Sequence, residues 1–216
     1  MTYMKENNFY EIVWIFYLGA FLGDVVETLF CRWRTGRWMS RSSVVCGPFS
    51  IVWGGSIAIA TILLFRYKEA SALFLFWTGA ILGGAFEYLC SVFTEKMFGK
   101  VFWDYRKIRF NLNGRINLVY CLLWGLASVI WFKGMYPPLS KWIESILKNR
   151  AGIFITWFMA VFMVCDAVIS YAALVRSAQR TSGVRASHKW QRIMDKYFDD
   201  EKLYRIYPNA INVAKA

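Results

Sequence analysis

Four acidic residues lie inside apolar stretches of this chain, and two of them end a repeated pattern. Glu27 ends the run GAFLGDVVE (19–27), and Glu87 ends the run GAILGGAFE (79–87). The other two acids are Asp24 and Asp166. An ionised carboxylate inside a bilayer costs a few kcal/mol, so each of these acids must be paired, protonated or in contact with water. Such residues are by default candidates for a functional site.

The repeated pattern spaces two glycines and a glutamate four residues apart, which places them on one face of a helix. The stripes contain Gly19, Gly23, Glu27 and Cys31 in the first copy, and Gly79, Gly83, Glu87 and Ser91 in the second. Because glycine lets another helix approach closely, we expect the two stripes to pack near each other. If the two glutamates converge, one would hold a proton at neutral pH, because like charges disfavour a second ionisation.

Two uses of these glutamates remain open. A proton-holding pair suits a proton-coupled carrier or a general acid–base pair. Alternatively, Glu27 and Glu87 pair with Arg41 or Arg115 and only lock the helices together.

A second polar group lies between the later apolar blocks. Asp104 stands between Trp103 and Tyr105, a setting typical of a membrane interface. Asn113 and Gly114 indicate a turn, and Arg115 follows where it could bind a carboxylate or a phosphate. The alternative is an interfacial anchor with an internal salt bridge. The five cysteines form no CxxC pair and the chain has one histidine, so we predict no metal site, disulfide or cofactor.

The composition predicts an all-α polytopic membrane bundle. Of the 216 residues 57% are hydrophobic and 19% are charged, and the mean hydropathy is +0.35. The apolar residues form blocks of about 20, the length that crosses a hydrocarbon core. We predict five transmembrane helices, at about 9–31, 44–65, 70–93, 116–136 and 152–175, and no cleavable signal before the first.

The distribution of charge predicts the orientation. Arginines and lysines concentrate in the first loop, the third loop and the C-terminal tail, whereas the second and fourth loops hold few. The positive-inside rule then places the N-terminus outside and the C-terminus in the cytoplasm of a plasma (inner) membrane. Because topology accounts for the net charge of +12, we expect no nucleic-acid partner.

The apolar blocks also show an internal repeat. The segment FSIVWGGSIAI (49–59) resembles YCLLWGLASVI (120–130), and each follows one of the glycine–glutamate runs. We therefore predict two related hairpins, 9–65 and 70–136, in parallel orientation. They form a membrane core over 1–140, followed by a fifth helix (141–176) and a basic tail (177–216). An amphipathic helix in the tail would lie on the inner leaflet or dock a cytoplasmic partner.

An ordered set of short motifs resembles a known family. The set comprises Gly23-x3-Glu27, Gly47-Pro48-Phe49, Trp53-Gly54, Glu87-Tyr88, Glu95-x2-Phe98, Trp103-Asp104-Tyr105, Asn111-x-Asn113-Gly114-Arg115-Ile116 and Trp124-Gly125. Over about residues 10–140 the chain resembles the CmpB-like family of type IV ABC-transporter permeases. Asp24 departs from the pattern, since a tryptophan usually stands there. The resemblance implies a permease subunit that needs a partner ATPase and a second membrane chain, identical or different.

We therefore predict a transport-related membrane protein. Glu27 and Glu87, with Asp24 beside them, would form the polar site, and Asp104, Asn113 and Arg115 would lie at its cytoplasmic mouth. The chain has no Gly-x4-Gly-Lys-Ser/Thr phosphate loop, so it is not an ATPase by itself. One alternative is a membrane enzyme that holds a lipid-linked phosphate with arginines and uses a glutamate as base. The other is a non-catalytic assembly or regulatory protein.

Overall fold

A computed structural model describes residues 8–212, and its regular structure is almost entirely helical. The helices are α1 (Asn8–Thr35), α2 (Ile51–Leu64), α3 (Ala72–Phe98), α4 (Leu118–Ile130), α5 (Tyr136–Leu147), α6 (Arg150–Thr181), α7 (Lys189–Tyr197) and α8 (Asp200–Ile206). A 3-10 turn, Phe65–Tyr67, extends α2, and a π-helical turn, Trp131–Met135, joins α4 to α5. Four segments are long and apolar enough to cross a membrane: Phe9–Thr35, Ala72–Phe98, Leu118–Leu147 and Arg150–Thr181. The protein is therefore a multi-pass membrane protein.

Side chains at the helix starts explain where several helices begin. Ser50, Ser71, Asn117 and Asn149 each accept a hydrogen bond from a backbone N–H in the first turn of α2, α3, α4 and α6. Such caps satisfy donors that have no partner within the helix. At the other end of α3, Gly99 adopts the left-handed conformation that commonly terminates a helix.

The second apolar helix is shorter than the sequence predicted. Ile51–Tyr67 rises about 25 Å at 1.5 Å per residue, which is less than a hydrocarbon core of about 30 Å. The predicted start at residue 44 is wrong, because the chain folds into a compact loop there. The Ser42 hydroxyl lies 2.9–3.0 Å from the carbonyl oxygens of Val44, Gly47 and Phe49. Gly47 has a positive φ of 85°, which a helix does not allow.

Asp166 of α6 fixes this loop. Its Oδ1 accepts the Cys46 N–H at 3.0 Å, and Ser170, one turn later, accepts the Val45 N–H at 2.9 Å. An acid in an apolar helix therefore serves a local structural purpose here, since it satisfies a backbone donor of the loop that precedes α2.

The fourth predicted span ends too early. The helix continues past residue 136 to Leu147, so the boundary at residue 140 falls inside α5. Beyond the π-helical turn it packs on the start of α1. Tyr136 donates to Glu11 at 3.0 Å, and the rings of Trp142 and Trp14 lie 5.8 Å apart. Pro137 and Pro138 are tolerated because they occupy the first turn of α5.

The glycine stripes pack against the next helix in sequence. A Cβ on Gly23 would lie 2.2 Å from the Trp53 side chain of α2, and one on Gly83 would lie 2.5 Å from Trp124 of α4. The expectation that the two stripes meet each other is therefore wrong. Each stripe is covered by the antiparallel helix that follows it in sequence, although the loops that join them, 36–50 and 99–117, are long.

The tail packs on the end of α6. Arg176, which is buried, donates to both carboxylate oxygens of Asp195 in α7 at 2.9 Å. Leu203 and Tyr207 bury against Phe98 and Leu174. A two-residue strand, β1 (Lys100–Val101), pairs antiparallel with β4 (Ile211–Asn212), while β2 (Asn111–Leu112) pairs with β3 (Ile116–Asn117). The first loop (36–50), the third loop (99–117) and the tail thus meet at one end of the bundle, which we call the basic end.

The helix α7 exposes one apolar stripe. It turns Gln191 and Asp195 toward α6, whereas Trp190, Ile193 and Tyr197 are 40%, 41% and 53% exposed. The side of the helix that a sequence pattern marks as polar is therefore partly the buried side.

Candidate functional site

Glu27 lies near the basic end of α1 and is held by two donors of different kinds. The Trp53 indole N–H donates to its Oε2 at 3.0 Å. Arg41 of the first loop donates to its Oε1 from Nε at 2.8 Å and from a terminal nitrogen at 2.5 Å. The ion pair between Glu27 and Arg41, one of the sequence-based alternatives, is therefore present.

Glu87 repeats half of this arrangement in α3. The Trp124 indole N–H donates to its Oε2 at 3.0 Å, as Trp53 does to Glu27. Its Oε1 accepts the Tyr105 hydroxyl at 2.8 Å instead of a guanidinium. Glu87 is only 7% exposed, and within residues 8–212 it forms no salt bridge. Arg115 does not reach it.

The two Glu–Trp pairs meet through their indoles. The rings of Trp53 and Trp124 lie 4.8 Å apart between centroids, at an interplanar angle of 41°. The contact connects α2 to α4 and brings acids from α1 and α3 into one polar region. We call this group of four residues the Glu–Trp centre.

An open cleft of about 460 Å³ lies above this centre at the basic end. Its walls come from Arg34 and Arg41, from the third loop (102–105 and Ile108), from Tyr120, and from the tail segment 208–211. Arg41 and Tyr105 belong both to the cleft and to the contacts of Glu27 and Glu87. Tyr105 stacks on Tyr120 at 4.7 Å, and the Tyr120 hydroxyl accepts from Arg34 at 3.0 Å.

The electrostatics of the cleft follow from these partners. Burial acts to lower the pKa of Arg41, but the charge of Glu27 and its hydrogen bonds outweigh burial, so the pKa lies above its usual value. Burial and the Glu87 carboxylate raise the pKa of the Tyr105 phenol, which therefore keeps its proton and donates. Hydrogen bonds from Arg106 hold the pKa of Asp104 below its usual range.

Asp24 lies one turn before Glu27 and is buried. The whole residue is 4% exposed, and its Oδ1 has no hydrogen-bond partner among the side chains and backbone of residues 8–212. It stays beside the Glu–Trp centre, where the sequence placed it.

The remaining predicted residues separate into two groups. Asp104 lines the cleft, where it binds Arg106 through both oxygens at 2.9 Å. Asn113 and Arg115 lie on the other side of the third loop. Arg115 pairs with Glu95 and donates to Ser91 at 3.1 Å, and Asn113 donates to Tyr88 at 3.0 Å. The turn at Asn113 and Gly114 is present, since both residues have positive φ.

Several site residues escaped the sequence analysis. Trp53, Trp124 and Tyr105 donate to the glutamates, and Tyr120 stacks on Tyr105 and accepts a hydrogen bond from Arg34. A signal for two of them was available. The Trp-Gly motif recurs after each glycine–glutamate run, and the glycine of each run is the surface on which that tryptophan lies. Within residues 8–212 no group of three His, Cys, Asp or Glu side chains is close enough to hold a metal ion.

The comparisons with known proteins identify the family. A family model described as "Putative ABC-transporter type IV" matches residues 14–171, which is most of the chain. The chain therefore belongs to this family of membrane proteins, as the motifs indicated. No curated protein and no solved structure matches the chain.

Proposed function

We propose that this member of the type IV ABC-transporter family is the membrane subunit of a transporter, with Glu27 and Glu87 as its central polar site. The observation that carries the proposal is the Glu–Trp centre itself. It joins acids from two helix pairs directly beneath an open, polar cleft. Acids inside transmembrane helices commonly mark substrate, ion or proton pathways.

The two helix pairs form a parallel repeat in this proposal. Two kinds of contact recur in both pairs and support the repeat. Trp53 lies on Gly23 as Trp124 lies on Gly83. A Cβ added at Gly54 would lie 2.6 Å from the Phe16 carbonyl oxygen, and one added at Gly125 would lie 2.6 Å from the Phe76 carbonyl oxygen. Many transporters place the substrate or coupling ion at the interface between such repeats. The Trp53–Trp124 contact is the interface here, so relative movement of the two pairs would open or close the centre.

The two acids have different roles. Both hydrogen bonds that Glu27 Oε1 accepts come from the Arg41 guanidinium, which is positively charged and cannot accept a hydrogen bond in return. The Tyr105 hydroxyl on Glu87 can donate to a carboxylate or, after rotation, accept from a carboxylic acid. Glu87 can therefore take up and release a proton without losing either partner.

The basic end faces the cytoplasm of the plasma (inner) membrane, and a separate ATPase binds there. The arginines of the first loop, the third loop and the tail gather at this end, as the positive-inside rule requires. The third loop and the exposed stripe of α7 are the surfaces available to such a partner.

Purification from native membranes in a mild detergent, followed by mass spectrometry, tests the proposal. We expect a stoichiometric ATPase in the complex and nucleotide hydrolysis by the reconstituted assembly. Glu87→Gln should keep the partner and the membrane insertion but uncouple hydrolysis from the membrane subunit. Glu144→Gln, an exposed acid of α5, is the matched control and should behave like the wild type.

Two outcomes would contradict this function. A chain that purifies alone would remove the ATPase-coupled transporter. Chemical conversion of a component of a lipid extract without nucleotide would favour the membrane enzyme, in which the arginines of the cleft would hold a lipid-linked phosphate.

A further inference from the structure

The cleft at the basic end has the composition of a binding site for an anion with an adjoining flat or apolar part. Arg34 and Arg41 lie on one wall, and the Tyr105–Tyr120 stack, with an interplanar angle of 18°, forms another. Its volume of about 460 Å³ lies within the range of small-molecule pockets, about 300–1,000 Å³.

The charges inside the cleft do not cancel. Glu27 balances Arg41, and Arg106 balances Asp104. Arg34 forms no salt bridge with any of residues 8–212, and its one side-chain hydrogen bond here is to the neutral Tyr120 hydroxyl. Among residues 8–212 the cleft therefore carries one excess positive charge, on the exposed Arg34 guanidinium, whose hydrogen bond here is to Tyr120.

The geometry points to a ligand that bears a phosphate group. A guanidinium presents donors in a fixed plane that match phosphate oxygens bidentately, and phosphate carries enough charge to compete with water for them. We propose that the Arg34 side of this cleft binds a phosphate-bearing ligand, whose remaining part lies on the Tyr105–Tyr120 stack. The inference deepens the proposed function, because the ligand would lie directly above the Glu–Trp centre.

Binding here would reach the glutamates through two side chains. Arg41 lines the cleft and holds Glu27, while Tyr105 lines the cleft and holds Glu87. An anion that draws Arg41 toward the cleft competes with Glu27 for the same guanidinium. Arg41 and Tyr105 therefore link the hydrogen bonding of the Glu–Trp centre to the presence of a ligand in the cleft.

Direct binding to the purified full chain tests the inference without any ATPase. The probes are radiolabelled inorganic phosphate, measured on protein in detergent, and nanodiscs of phosphatidylcholine with or without phosphatidic acid, with bound lipid counted by native mass spectrometry. We expect Arg34→Gln to weaken phosphate binding about tenfold or more, the effect of losing charge-assisted hydrogen bonds. Arg34→Lys keeps the charge but loses the planar fork, so its affinity for phosphate should lie between those of the wild type and Arg34→Gln.

Arg37→Gln is the matched control. Arg37 lies three residues beyond Arg34, at the start of the first loop, and is exposed, but it does not line the cleft. Arg34-dependent binding of both probes supports a general phosphate site, and binding of phosphatidic acid alone assigns a lipid headgroup. Equal losses in the Arg34 and Arg37 variants, or no saturable binding in a wild type that is folded by circular dichroism, would overturn the inference. Binding in a chain that purifies without an ATPase would uphold this site while the transporter function fails.

Discussion

Glu27 and Glu87 occupy corresponding places in two helix pairs, yet they are held by different partners. Each sits one helical turn beyond a glycine on which a tryptophan of the next helix lies, and each accepts that indole N–H at 3.0 Å. The second partner differs: a guanidinium for Glu27 and a phenol for Glu87. The shared half of the arrangement comes from helix packing, and the differing half comes from the loops at the basic end.

The helices and the loops therefore have separate tasks. Helix packing fixes where an acid is buried, because the glycine spacing admits the tryptophan. The loop decides which donor the acid meets, the Arg41 guanidinium at Glu27 or the Tyr105 hydroxyl at Glu87. Equivalent substitutions in the helices should therefore affect both Glu–Trp pairs alike, whereas a substitution in a loop should affect only one pair.

Removal of the Arg41 charge should have the largest effect on stability. Arg41→Met leaves the Glu27 carboxylate mostly buried without a cation, which should cost about 3 kcal/mol of unfolding free energy, the lower end for a broken buried pair. Denaturation by sodium dodecyl sulfate in mixed micelles, followed by circular dichroism, measures it. Adding Glu27→Gln should restore most of the loss, and Arg37→Met is the control. If the double variant is as unstable as Arg41→Met, the loss does not come from the orphaned charge.

Substitution of the glycines on which the tryptophans lie should have the second largest effect on stability, equal at the two Glu–Trp pairs. Gly23→Ala and Gly83→Ala place a methyl group against the base of an indole, at 2.2 and 2.5 Å, so the helices must move apart. Overpacking of this kind costs about 1–3 kcal/mol. The same denaturation assay applies.

Gly134→Ala provides the control for these two variants. A Cβ at Gly134, which is also helical, meets nothing within 4 Å, so this change should leave stability unchanged or raise it slightly. A large difference between the Gly23 and Gly83 variants would argue against a common packing unit.

Loss of the phenol at Glu87 should have a smaller effect than loss of Arg41. Tyr105→Phe keeps the stacked ring on Tyr120 but removes the hydroxyl that donates to Glu87, which should cost about 1–2 kcal/mol. Tyr204→Phe, on an exposed ring of α8, is the matched control. A loss as large as that of Arg41→Met would mean that the two acids depend equally on their loops.

The sequence singled out the two acids, Glu27 and Glu87, and offered the Glu27–Arg41 ion pair as one alternative, but it did not predict their tryptophan and tyrosine partners. Glycine spacing and the recurring Trp-Gly motif are local patterns, so the buried faces of α1 and α3 and the positions of Glu27 and Glu87 could be predicted. Which helix covers each stripe depends on how the long first and third loops return the chain, and the glycine spacing alone does not contain that information. The late start of α2 arises from the Ser42 hydroxyl and from Asp166, a residue 120 positions from its backbone partner Cys46. Tyr105 lies in an irregular loop, where no periodicity reports the direction of a side chain. Arg34 lies in the last turn of α1, and its partner Tyr120 is 86 positions away in sequence.

Replacement of Glu87 by glutamine should have the smallest effect on stability and still remove function. The amide oxygen can accept the Trp124 N–H, and the amide nitrogen can donate to the Tyr105 hydroxyl, so Glu87→Gln should change the unfolding free energy by less than about 1 kcal/mol. Glu27→Gln should cost more, since it leaves Arg41 without its carboxylate. Unfolding measured in parallel with nucleotide-coupled activity separates the two acids. A folded but uncoupled Glu87→Gln protein supports a proton-exchanging role, because only the ability to ionise has been lost. An active Glu87→Gln protein would mean that Glu87 has only a packing role, and the difference between the partners of Glu27 and Glu87 would then have no consequence for function.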